Sequence, residues 1–176
     1  MLTLINRWLR KKEDGVVAIE FAMVALPLFT LLFGIIESTL YFAAGSVLEG
    51  GSVQAARMIR TGQVQESSNP EDTFKTQLCN DVSVFLDCTK LQYEVIHISG
   101  DTFLNASASA PVFDSHGNLV PHNFDPGLKD SVVIVRSYYK WEFYTPYIGS
   151  LMTGDLSKNW AGHMSTVVVK SEPYTP

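Results

Sequence analysis

The chain has 176 residues and a formal net charge of −5, which suits one membrane anchor plus one small domain. Past Ile36 it carries nine basic and fifteen acidic residues with no basic cluster, which argues against nucleic acid as a partner. Residues 1–15 form a basic leader, where Arg7, Arg10, Lys11 and Lys12 outnumber Glu13 and Asp14 by two charges. Leu2, Leu4, Ile5, Trp8 and Leu9 fit one face of a short helix lying on a membrane surface; a poorly ordered leader fits equally.

Residues 16–36 are apolar or small except Glu20 and Thr30, long enough to cross a hydrocarbon core of about 30 Å. The leader cations lie on one side of this span and the first cation on the other is Arg57, so the N-terminus is expected in the cytoplasm. A charged residue at mid-bilayer costs on the order of 2.5–3.5 kcal/mol, so Glu20 calls for a partner. No Lys, Arg or His lies between Val16 and Ala56, and a neighbouring copy offers none at that depth either. An α-amine at Val16, freed by cleavage after Gly15, would sit one helical turn from Glu20. It would pair with Glu20 of its own chain or of a displaced neighbour, and so set a register. The cleaved chain would carry −7.

An ordinary secretory signal has an apolar region of about 7–15 residues before a small-x-small site. This run is longer, and its candidate small residues come only at Ala43 and Gly45. An uncleaved signal anchor accounts for the span but leaves Gly15 and Glu20 unexplained.

Helical periodicity continues through Leu40, Ala44, Val47, Leu48, Gly51, Ala55, Met58 and Ile59, which makes residues 16–60 one long helix, half span and half stem. Pro27 lacks an amide hydrogen and is expected to kink it near Met23. Gly34, Gly45, Gly50 and Gly51 read either as weak points or as glycines a membrane helix tolerates; small residues also permit close helix contacts. Residues 61–73 form a loop ending in Asn69, Pro70, Glu71 and Asp72, the start of a second helix to about Phe85 with Phe74, Leu78, Val82 and Phe85 on one face. Cys79 and Cys88, the only cysteines, are expected to form a disulfide outside the cytoplasm.

Residues 91–99, 131–143 and 163–171 read as strands of a small antiparallel sheet, with Val133, Val135, Ser137, Tyr139 and Trp141 on one side of the middle strand. A fourth short strand is placed at residues 103–108. Residues 111–130 read as an extended exposed loop and 144–160 as another excursion. Tyr138, Tyr139, Trp141, Phe143, Tyr144 and Tyr147 are a sheet core plus an edge, or an adhesive surface. The fold class is therefore α+β: a transmembrane helix running into a head in which a second helix packs on three or four antiparallel strands, a lollipop shape.

No catalytic constellation emerges. His97, His116, His122 and His163 are scattered without metal-ligand spacing, and Asp114, Ser115 and His116 are merely adjacent. No Gly-x-Gly-x-x-Gly or phosphate-cradling loop is present, so no cofactor, metal or small-molecule substrate is expected.

The run Asp14, Gly15, Val16, Val17, Ala18, Ile19, Glu20, Phe21 resembles the processing site of type IV pilin-like proteins, and the Glu20–Phe21 pair is similar to the Glu-Tyr of Flp-type pilins. The whole chain resembles the TadE branch of minor pilins. The helix with a looped cysteine pair, the aromatics before Tyr144, Thr145 and Pro146, and the terminal run through Val167, Val168, Val169 and Lys170 extend the likeness, though its C-terminal part is looser and also fits a relative such as TadF. The departures are Phe at position 21 in place of Tyr and a leader of only fifteen residues.

The resemblance implies a non-enzymatic minor pilin or pseudopilin of the tight-adherence (Tad) pilus, cut after Gly15 by a prepilin peptidase and acting in assembly and surface adhesion. Its expected partners are the membrane, that peptidase, other pilin subunits and the Tad assembly platform. Its expected place is the bacterial inner membrane, single-pass, with residues 61–176 forming a periplasmic head, or an extracellular pilus. The competing hypothesis is a membrane-tethered periplasmic binding module or enzyme on an uncleaved anchor.

Overall fold

A computed structural model describes residues 2–100, 103 and 109–173 of the protein, with side chains described from residue 15 onward. Helix α1 (Leu2–Arg60) runs for 59 residues, about 88 Å. The leader continues it without a break at Gly15, because its Leu, Arg, Lys and Glu residues favour helix and one glycine costs only about 1 kcal/mol. Between Gly15 and Arg60 lies a window of mean hydropathy 2.3, none of it buried in the fold, long and apolar enough to cross a membrane.

The distal half of α1 is the spine of the head. Gly34, Glu37, Ala44, Leu48, Gly51, Ala55 and Ile59 are buried and Tyr41 half-buried, at three- and four-residue steps that alternate as far as Ala55. This 3.5-residue period keeps one seam facing the sheet and the second helix. Val47 and Met58 flank the core, whereas Leu40, expected on the buried face, is exposed. The glycines are contact points rather than weak points at three places, Gly34, Gly45 and Gly51, and a Cβ on Gly45 would come within 2.8 Å of the His163 ring. A Cβ on Gly51 would come within 2.5 Å of Val82 Cγ1, and one on Gly34 within 2.9 Å of Ile148 Cδ1. The helix ends with Arg57 and Arg60 in its last turn, favourable for the macrodipole, and Gly62 at φ 82°.

Helix α2 (Pro70–Val82) starts as expected, with Asn69 Oδ1 accepting from the Asp72 amide at 3.4 Å and proline in the first turn. Phe74, Leu78 and Val82 are buried against α1. Phe85 is not: the helix stops at Val82, a turn follows, and Leu86 fills the place expected for Phe85. The Cys79–Cys88 disulfide spans that turn, with Cα atoms 5.6 Å apart. Replacing both cysteines with serine is expected to cost about 2.7 kcal/mol by the chain-entropy argument, read as a lower denaturant midpoint with the same slope. An unchanged midpoint would show that the turn holds without the bridge.

Strands β1 (Leu91–His97), β2 (Val132–Glu142) and β3 (Trp160–Lys170) form one antiparallel sheet in that order. Val95 pairs with Val135, and Val135 with Val167, so the odd-numbered residues of β2 share a face as expected. That face carries Val95, Val133, Val135 and Tyr139 into the core formed with α1 and α2. The expected fourth strand at residues 103–108 lies, apart from Phe103, outside the described residues.

The loop at residues 111–130 does more than expected. Its outer side is exposed, but its inner side closes the sheet's second face: Leu119 is buried, Tyr138 Oη donates to Gly117 O at 2.8 Å, and Phe113 meets the Tyr138 ring at 5.1 Å. The central strand is therefore buried on both faces from Val132 to Tyr139. The second excursion contains an unexpected short helix, α3 (Ile148–Thr153), between left-handed residues Tyr147 and Gly154.

Candidate processing and assembly segment

Gly15, Val16, Glu20 and Phe21 lie together on the part of α1 that the head does not cover. Val16 and Phe21 are largely exposed, a Cβ on Gly15 would meet nothing within 4 Å, and Glu20 projects from the helix surface one turn beyond Val16. Among the described residues Glu20 has no ion-pair partner.

Pro27 sits inside α1, which continues through it. Its ring removes one backbone donor, so the Met23 carbonyl loses its usual partner. The hydroxyls of this region are satisfied locally: Thr30 Oγ1 donates to Leu26 O at 2.9 Å, Ser38 Oγ to Gly34 O at 2.8 Å and Thr39 Oγ1 to Ile35 O at 2.9 Å. Such back-bonding removes the cost of carrying a hydroxyl into lipid.

Sequence reasoning missed Glu37. This carboxylate is buried where the apolar run ends, and Oε1 and Oε2 accept the amides of Tyr144 and Thr145 at 2.5 and 2.8 Å. Glu37 thereby fastens the excursion after β2 to the C-terminal end of the apolar segment. Its signal was a second acid ending that segment with no cation within a helical turn on either side.

Two further polar sites hold the head. Glu94, with no exposed side chain, receives Arg136 Nη1 at 2.5 Å and His122 Nδ1 at 2.8 Å, and Arg136 Nη2 also donates to Ser109 O. Burial pushes the Glu94 carboxyl up, but the bonds from His122 and Arg136 outweigh it and hold the group below the usual carboxylate range. On the other face, His163 Nε2 donates to Tyr41 O at 2.8 Å with the two rings 3.9 Å apart, joining β3 to α1. Desolvation lowers the His163 pKa, opposed in part by that bond. Of the other histidines, His116 and His97 stand apart from these contacts, on the loop and on β1. The buried pair and the Tyr41–His163 contact belong to residues far apart in sequence, and their spacing carries no local motif.

In comparison with known protein families, the model described as TadE-like protein matches residues 15–57. That stretch contains Gly15, Val16, Glu20, Phe21, Pro27 and Glu37 and ends within the stem. No curated protein and no solved structure matches the chain.

Proposed function

We propose that this TadE-like chain is a minor pilin or pseudopilin of a Tad-type pilus, made as a membrane-anchored precursor, cut between Gly15 and Val16 by a prepilin peptidase, and carried from the membrane into the pilus machinery to act in assembly and adhesion. The observation that carries the reading is the juxtaposition within the TadE-like match: an apolar window of α1 of which none is buried by the head, with Gly15 at its start and, one turn above Val16, a Glu20 that has no ion-pair partner among the described residues.

In this mechanism the chemistry is done to the protein. Hydrolysis of the Gly15–Val16 bond releases the basic leader and leaves an ammonium on Val16. That ammonium and Glu20 neutralise each other in a medium of low dielectric, where an unpaired charge is costly. The head stays periplasmic, and the exposed face of α1 trades lipid for neighbouring helices.

Intact mass and N-terminal sequencing of protein recovered from membranes test the processing step. The expected chain begins at Val16. A start at Met1 contradicts the step, and a start near Ser46 identifies a secretory signal. Replacing Gly15 with leucine is expected to leave the uncut precursor as the sole species, because the larger side chain blocks backbone approach at the cleavage point.

A further inference from the structure

We infer that residues 144–156 form a membrane-interface foot, which rests the head on the phospholipid headgroup layer beside the point where α1 leaves the bilayer. The inference rests on α1 being a membrane span, and not on cleavage or on a role in pili.

The level of this segment follows from where it is tied to α1. It touches the helix at Gly34, through Ile148, and at Glu37, through the amides of Tyr144 and Thr145. Those positions lie about 27 and 32 Å along the helix from Val16, against a hydrocarbon core of about 30 Å. The ties therefore hold the foot at the boundary between acyl chains and headgroups.

Its surface suits that boundary. Tyr144, Tyr147, Leu151 and Leu156 are 91, 77, 77 and 90% exposed, an unusual concentration of large apolar groups for a water-facing excursion. Asp155 is the only charged residue in the segment, and it is bonded by Ser157 Oγ at 2.7 Å and paired with Lys158 Nζ at 3.3 Å. Tyrosine is favoured at membrane–water interfaces because its ring is apolar and its tip is wet.

The segment is also shaped rather than slack. Tyr147 holds φ 66°, and a Cβ on Gly149 would come within 2.5 Å of Asn159 Cα, which fixes α3 against the start of β3. Between the foot and α1 lies an open groove of about 410 Å³ walled by Phe33, Leu40, Tyr144 and Pro146. The groove is continuous with the uncovered apolar surface of α1, so lipid that solvates the helix reaches the foot without crossing water. Phospholipid is thus the occupant favoured over a second copy of the chain.

The test uses the full chain in vesicles of phosphatidylethanolamine and phosphatidylglycerol, with a nitroxide attached to Leu151→Cys or Leu156→Cys and the Cys79–Cys88 bridge confirmed by mass. Phe29→Cys in the span and Val84→Cys, in the exposed turn after α2, give the lipid and water references. Labels at 151 and 156 are expected to collide with oxygen severalfold more often than with a water-soluble nickel chelate, between the two references. Nickel access equal to that at position 84 overturns the inference while leaving the span intact. Nickel access at position 29 overturns the span and the foot together. Spectral broadening at 151 that disappears on dilution with unlabelled protein overturns it in favour of a second copy.

Discussion

Glu20→Gln is expected to leave the protein in the membrane but out of the filament. Glutamine keeps the shape and loses the charge, so a Val16 ammonium would remain unpaired wherever the helix is shielded from water. Breaking a buried pair by removing one partner costs about 3–5 kcal/mol, and every 1.4 kcal/mol is tenfold, so incorporation should fall on the order of 100-fold or more. Quantifying the subunit in sheared pili and in membranes measures this, and intact mass on the same samples separates a failure of cleavage from a failure of pairing. Glu20→Asp, which keeps the charge but shortens its reach, should fall between. Wild-type incorporation of the glutamine variant would reduce α1 to a tether.

Glu94→Gln should be the most damaging single change in the head. Arg136 is almost wholly buried beside Glu94, and removing the carboxylate strands its guanidinium; the expected loss is about 3–5 kcal/mol of unfolding free energy in detergent. The double variant Glu94→Leu with Arg136→Met should recover most of that loss, because two apolar groups leave no uncompensated charge. Failure of the double variant to recover would show that the bonds to Ser109 and His122, and not the charge pair, hold the loop down.

Glu94 and His163 both make the head sensitive to acid. The folded Glu94 pKa lies below its unfolded value of about 4.3, so its contribution is complete above that pH and is lost as pH falls through the folded value. His163 is also depressed on folding, so its contribution is present above about 6.5 and declines as pH falls below. A thermal-stability profile should therefore show two descending limbs on acidification. Glu94→Gln should make the lower limb shallower, since Asp87, Asp114 and Asp155 are also held below the usual carboxylate range by their hydrogen bonds, and leave the upper limb unchanged.

The disulfide, the cap at Asn69 and the three strands were legible because each has a local signature: two cysteines nine apart, an Asn-Pro start followed by acids, and β-branched or aromatic runs. The ends of those elements were less so. Phe85 continued a helical spacing, but the chain turned after Val82, where the disulfide-bridged turn begins. A loop such as residues 111–130 shows polarity and prolines in its sequence, not which sheet face it lies across. Its apolar residues, Val112, Phe113, Leu119, Val120, Phe124 and Leu128, follow no period that tells which of them turn inward.

The anchor segment was written in the residues themselves. Length, hydropathy, the glycine junction and one isolated acid act along a single helix, where neighbours in sequence are neighbours in space. What the folded chain alone decided is how that helix meets the head: Glu37 gripping two amides more than a hundred residues away, Gly34 admitting Ile148, and Glu94 and Arg136 meeting across β1 and β2. Those contacts depend on strand register and on the path of the returning chain, and both follow from the cooperative closure of the core.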